Sequence, residues 1–148
     1  EEMQIMRSIT SDHREEVKQV VDGEAIVKFQ KVVRRIPVAE PIFEYAARIV
    51  RATRPSEPDA PEFVKKMMSW GAGPRASLNL ITAGKARAAL RGRTHVAIED
   101  VQAVVLPILR HRIVPSFAAR SEGMTSDTLI QRLVDEIPAD EQLYQKAQ

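Results

Sequence analysis

One spacing constrains this chain more than any other. Apolar residues recur at offsets 0, 3, 4, 7 and 8 in two separate segments, Ile42, Tyr45, Ala46, Ile49, Val50 and Val101, Val104, Val105, Ile108, Leu109. Such offsets gather side chains on one face of a helix but scatter them over both faces of a strand, so each segment buries a stripe only as a helix. A third stripe, Ile26, Phe29, Val33 and Ile36 with Val32 beside it, follows Asp22, a capping residue, and carries Glu24 in its first turn. Pro37 stops that helix, and Pro41 opens the next where a missing N–H does no harm. A last stripe, Leu129, Ile130, Leu133, Val134 and Ile137, is expected to start near Thr125 or Ser126 and to stop at Pro138.

Between these lies the most alanine-rich run. Ala76, Leu78, Leu80, Ile81, Ala83, Gly84, Ala86, Ala88 and Leu90 cover much of a helix circumference, which predicts a central helix packed on several sides and ended by Gly92. Residues 55–62, with Pro55, Pro58 and Pro61, cannot continue a helix and read as an exposed loop. Pro107 is expected to kink the fourth helix, and residues 111–124 read as irregular or briefly extended. No alternating strand pattern or hairpin dipeptide occurs. The fold class is therefore all-α, a helical bundle with β-structure limited to short pieces around 67–70 and 112–114. Aromatics at only 5% fit that class, and 148 residues suit one core.

Composition excludes several chemistries. Without cysteine there is no disulfide scaffold, thiolate metal site or thiol nucleophile, and cytoplasmic location is the default. No apolar stretch approaches the roughly 20 residues of a membrane span, so no membrane partner is expected. The first residue, Glu1, is what a piece of a longer chain would show. His13, His95 and His111 lack the i, i+4 spacing that grips zinc, so no metal ligands are assigned, and no serine sits in a nucleophile elbow. Charge is unevenly placed: residues 25–120 hold 17 Lys/Arg against 7 Asp/Glu, between two ends that are each net acidic. Those arginines either lie along solvated helix faces with buried stems or offer a surface to something anionic.

Two glycine motifs fail on inspection. Gly84-Lys85 resembles the end of a phosphate-binding P-loop, but Asn79 stands where glycine is needed and Ala86 where a hydroxyl is needed. Its backbone N–H groups would also be bonded within a helix, leaving Lys85 at the surface. Gly71-Ala72-Gly73-Pro74-Arg75-Ala76 fits the loose dinucleotide pattern without the strand and parallel sheet it requires. What survives is the physics of that loop. Two glycines free a turn, Pro74 starts a helix, and Arg75 adds a guanidinium to a helix end that already favours anions. On residue chemistry alone Arg75 can equally bond a nearby carboxylate or lie in solvent.

The string Gly71-Ala72-Gly73-Pro74-Arg75-Ala76-Ser77 followed by an alanine-rich helix resembles the sensor-2 region of MoxR-type AAA+ ATPases, whose usual string is G-A-S-P-R-A. Ala89-Leu90-Arg91-Gly92-Arg93, Val96, Glu99-Asp100-Val101 and Val105 through Arg112 resemble the same lid domain in the same order. Upstream, Val32 through Ile36 and Tyr45 through Arg54 are similar to its two preceding helices. The departures are Gly73 where the family commonly has serine and Ala97 where a threonine often caps. The resemblance implies a lid domain over residues 1–138, with 1–21 a linker from an ATPase core and 139–148 a frayed tail.

It further implies that Arg75 is catalytic, reaching the terminal phosphate of Mg-ATP held mainly by the core, with Gly71, Gly73, Pro74 and Arg75 forming the cofactor contact. Walker A, Walker B and arginine-finger residues belong to that core, so this chain alone is not expected to hydrolyse ATP. The implied partners are the core, neighbouring subunits of a hexameric ring and a von Willebrand factor A-domain protein. The implied work is chaperone-like remodelling of client proteins. Trp70 is expected to pack under Gly71 rather than stack on adenine, and His111 to favour a helix C-terminus rather than catalysis. A rival exists, because Arg93-Thr94-His95-Val96 before Glu99-Asp100-Val101 also resembles the end of a histone fold, which would dimerise and bind DNA. Nucleic acid is otherwise not expected, and a helical protein–protein scaffold is the remaining alternative.

Overall fold

Asp22 does what its residue type predicts: its Oδ1 accepts the Ala25 N–H at 2.7 Å and starts a helix over Gly23–Arg35. The computed structural model describes residues 1–11, 18–137 and 139. His13, Pro138 and the tail from 140 onward lie outside them. The described chain forms two compact units, Glu1–Gln30 and Lys31–Gln148.

In the first unit, α1 (Glu2–Thr10) leaves Met3, Ile5, Met6 and Ile9 exposed. The first turns of α2 (Gly23–Arg35) leave Ile26, Val27 and Phe29 exposed as well. The helical period of the α2 stripe is correct, but its expected burial is not. Val32 is also exposed, and only Ile36, just past the helix end, joins a core.

The second unit holds that core. In α3 (Glu40–Ala52), Pro41 lies in the first turn and Ile42, Tyr45, Ala46, Ile49 and Val50 are all buried. There follow α4 (Glu62–Met67), β1 (Met68–Trp70), α5 (Arg75–Leu90), α6 (Ile98–Leu109), β2 (Val114–Pro115), α7 (Phe117–Ser121) and α8 (Ser126–Glu136). The all-α expectation holds, and β1 and β2 form one short antiparallel ribbon with Met68 opposite Pro115 and Trp70 opposite Val114. Helix α6 runs through Pro107 to Leu109. Helix α8 is capped by Thr125, whose Oγ1 accepts the Thr128 N–H at 3.2 Å, and buries Leu129, Ile130 and Leu133.

Two expectations need correction. Residues 111–124 are not irregular throughout. Ser116 Oγ accepts the Ala119 N–H at 3.2 Å and donates to Lys66 O at 2.9 Å, capping α7 and tying it to α4. Helix α5 packs on α3 and α6 but not all round: Ala76, Leu80, Gly84 and Ala88 are buried at a spacing of four and Ile81 and Ala89 partly so, while Leu78 and Leu90 face solvent. Small residues along that stripe let α6 come close, with a β-carbon at Gly84 in ordinary contact with Val96 and Val101.

Gly92 ends α5 with φ +68°. Its N–H bonds Ala89 O at 3.0 Å, and the Arg93 N–H reaches back to Ala88 O at 2.9 Å, which satisfies two orphan carbonyls. Replacing Gly92 by alanine forces a β-carbon into a left-handed backbone. The expected loss is about 1 kcal/mol, seen as a lower urea midpoint with an unchanged slope.

Candidate functional site

The loop that carries Arg75 is built against the end of α3. Thr53 is fully buried, and its hydroxyl donates to Val50 O at 2.6 Å while accepting the Ala72 N–H at 2.8 Å. Arg54 Nε donates to Ala72 O at 2.9 Å, and Arg54 Nη1 is itself held by Glu57 Oε1 at 3.1 Å. Both polar backbone groups of Ala72 are thereby fixed from one helix end, 18 and 19 residues earlier in the chain. The proline-rich segment is more than an exposed loop, because Ala60 is buried and Glu57 is half-buried in this network.

The two glycines of the loop differ. A β-carbon on Gly71 would lie 2.4 Å from Thr53 O and 2.6 Å from Arg54 Cα, so only glycine permits this approach. Gly73 has nothing within 4 Å of such a carbon and no positive φ, so a serine there would fit without strain. Neither glycine has a positive φ, so the expected freeing of the turn is not what they supply: Gly71 is needed for close approach, and Gly73 is not.

From this base Pro74, already in helical conformation, leads into α5. The Ala76 N–H bonds Gly73 O at 2.9 Å and the Ser77 N–H bonds Pro74 O at 3.1 Å. No side chain caps the helix and no acidic residue lies in its first turn. Arg75 is exposed, and among the described residues it makes no ion pair or hydrogen bond through its side chain. Of the two dispositions open to it, solvent is the observed one. A helix start with uncapped N–H groups, no carboxylate and a free guanidinium is suited to one end of an anion such as a phosphate. The described residues supply no further phosphate cradle: Gly84-Lys85 lies inside α5, and Lys85 Nζ donates to Arg34 O at 3.0 Å. Among the described residues the loop thus offers one anion-facing helix end rather than an enclosing pocket.

Trp70 does not pack under Gly71. It is 70% exposed on β1, immediately before the loop. The Arg93 string that resembles a histone-fold end makes the corner between α5 and α6. Asp100 is fully buried, with Oδ1 3.1 Å from Arg93 Nη2 and 3.6 Å from Arg87 Nε, and Glu99 also pairs with Arg93. Asp100 Oδ2 accepts the Ala97 N–H at 3.0 Å, serving the helix start where Ala97 has no side-chain acceptor of its own. His111 is exposed beside Arg112.

This arrangement of short helices, one two-stranded ribbon and an arginine at an uncapped helix start defines a small lid-type module. A family model described as the AAA lid domain matches residues 60–133, half of the chain. The chain belongs to that family, as the C-terminal lid domain of a MoxR-like AAA+ ATPase. Over 122 residues it is 31% identical to the chaperone MoxR1 of Mycobacterium tuberculosis, covering 82% of this chain and 32% of that protein. It is 25% identical over 138 residues to the uncharacterised protein YeaC of Bacillus subtilis, covering 93% of this chain and 40% of that one. A crystal structure from Cytophaga hutchinsonii, provisionally described as an ATPase, superposes with a TM-score of 0.78 at 27% identity, over 93% of this chain and 42% of that one. The chain therefore spans about a third to two-fifths of the length of these relatives.

The sequence pointed to the Gly71–Arg75 loop but not to Thr53, Arg54 and Glu57, which hold it. Thr53 and Arg54 were legible only as part of the family string, since their contacts lie far along the chain.

Proposed function

We propose that this lid contributes Arg75 to the terminal phosphate of ATP bound on a core domain of the same protein, with residues 1–21 as the connecting linker. ATP, when bound as its magnesium complex, supplies the phosphoanhydride bond whose cleavage changes the charge facing the lid. Arg75 offers a planar set of N–H donors to phosphate oxygens, and the uncapped start of α5 adds its dipole in the same direction. Gly71, Gly73 and Pro74 set the backbone path that presents it. The observation that carries this reading is an exposed Arg75, without an internal acidic partner among the described residues, on a loop whose base is fixed by Thr53 and Arg54.

On this reading loss of the terminal phosphate releases one side of a bridge between core and lid, and the lid turns relative to the core. The exposed apolar residues of α1 and α2 support the presence of a further partner surface, for which the core and neighbouring subunits of a hexameric ring are the occupants of choice. Coupled around such a ring, these turns would remodel client proteins in the cytoplasm, with a von Willebrand factor A-domain protein as co-partner. No helix among the described residues is long and apolar enough to cross a membrane.

Replacing Arg75 by alanine in the intact ATPase is expected to lower ATP turnover by about tenfold or more, the scale of losing one charged donor from a transition state. Turnover and nucleotide affinity both equal to those of the parent would remove Arg75 from the mechanism.

A further inference from the structure

We propose that Thr53 is a positioning residue for Arg75, its hydroxyl setting the loop from which the arginine reaches phosphate; the idea rests on the Arg75 reading above. Thr53 closes α3 and is fully buried, and its hydroxyl is used in both directions, donating to Val50 O at 2.6 Å and accepting the Ala72 N–H at 2.8 Å. Neither bond can be exchanged for water at that depth. The same residue of the loop is gripped a second time, through Ala72 O and Arg54 Nε at 2.9 Å, and Arg54 is braced by Glu57 at 3.1 Å. Gly71 brings the loop backbone close enough for both grips. From Ala72 only Gly73 and Pro74 intervene before Arg75. Pro74 has a fixed φ, which leaves few free joints in the path.

The chemical consequence is orientation. A guanidinium on a loop that can rock loses the alignment its donors need at a phosphate, and displacement on the order of an ångström is enough to slow a reaction strongly. Thr53 makes no contact of its own with the nucleotide on this account. It acts through Arg75, and the end of α3 and the arginine move together.

The test is a double-mutant cycle in the intact ATPase. Thr53→Val keeps the shape and removes the hydroxyl, and it is expected to lower kcat about three- to tenfold, the equivalent of one buried hydrogen bond. In an Arg75→Ala background the same change is expected to lower kcat by less than about twofold, because no arginine remains to be misplaced. Thr53→Ser, which restores the hydroxyl, is expected to recover most of the loss, and amide exchange at Ala72 is expected to quicken in the valine variant without nucleotide. Should the valine variant fold poorly, Arg54→Ala, at a half-buried side chain, provides the same cycle. Equal losses with and without Arg75, or no loss on removing the hydroxyl, would overturn the proposal. A parent-like rate for Arg75→Ala alone is a different failure, that of the arginine reading itself, and is recognisable before any Thr53 variant is made.

Discussion

Alanine in place of Gly71 is expected to lower stability by about 2–3 kcal/mol, the upper part of the range for forcing an extra methyl into packed surroundings. The reason is the identity of the neighbours. The added carbon would meet Thr53 O at 2.4 Å and Arg54 Cα at 2.6 Å, both backbone atoms that cannot rotate aside. The loop must therefore lift away, and the buried Ala72 N–H is pulled from the Thr53 hydroxyl as it does. Thermal unfolding should show a midpoint lower by roughly 5–10 °C. Gly73→Ala, two residues along with open space around it, is the matched comparison and should stay within about 0.5 kcal/mol. If the two substitutions behaved alike, the close approach at Gly71 would not be what fixes the loop.

The second large effect lies at the other end of α5. Asp100→Ala is expected to lower stability by about 3 kcal/mol, as breaking a buried ion pair does. One hydrogen bond and two ion-pair contacts depend on this carboxylate. Oδ2 accepts the Ala97 N–H that starts α6, Oδ1 lies 3.1 Å from Arg93 Nη2, and Arg87 Nε stands 3.6 Å away with no other acceptor. The figure sits at the low end of the usual range because the Arg87 and Arg93 side chains keep 30% and 28% of their surface in water and can rehydrate. Since the Arg93 ion pair at 3.1 Å is closer than the Arg87 pair at 3.6 Å, Arg93→Ala should cost more than Arg87→Ala. Denaturant midpoints of the three variants, compared at one pH, check both the size and the order.

The helices legible in the sequence were those whose stripe and boundary agreed. Helix α3 has Pro41 in its first turn and five buried residues at the expected offsets. The end of α5 at Gly92 and the start of α8 at Thr125 follow from single residues with a defined role, a left-handed turn and a hydroxyl cap. For α2 and α5, periodicity and boundary residues gave the elements but not their surroundings. The α2 stripe is helical yet largely exposed, and α5 buries Ala76, Leu80, Gly84 and Ala88 rather than a full circumference. Helix α7 is too short for a period to show, although Ser116 before it and Gly123, at φ +72° after it, were the available signs.

The candidate site divides in the same way. Arg75 and Gly71 stood out through the string that resembles the lid family, and the structure gives Gly71 its steric reason. Thr53 and Arg54 gave no local signal, because a threonine at a helix end is ordinary and its partner at Ala72 is a tertiary one. Trp70, the single tryptophan, was misplaced by treating a large apolar side chain as buried, whereas it stands largely in solvent beside the loop.

The central claim is that Arg75 meets the terminal phosphate. A crystal structure of the intact ATPase with a non-hydrolysable ATP analogue and magnesium reads this directly. The account predicts a guanidinium nitrogen of Arg75 about 3 Å from an oxygen of that phosphate, with the Thr53–Ala72 bond intact. An ordered analogue with Arg75 turned to solvent or paired to a carboxylate, and another cation in its place, would contradict it.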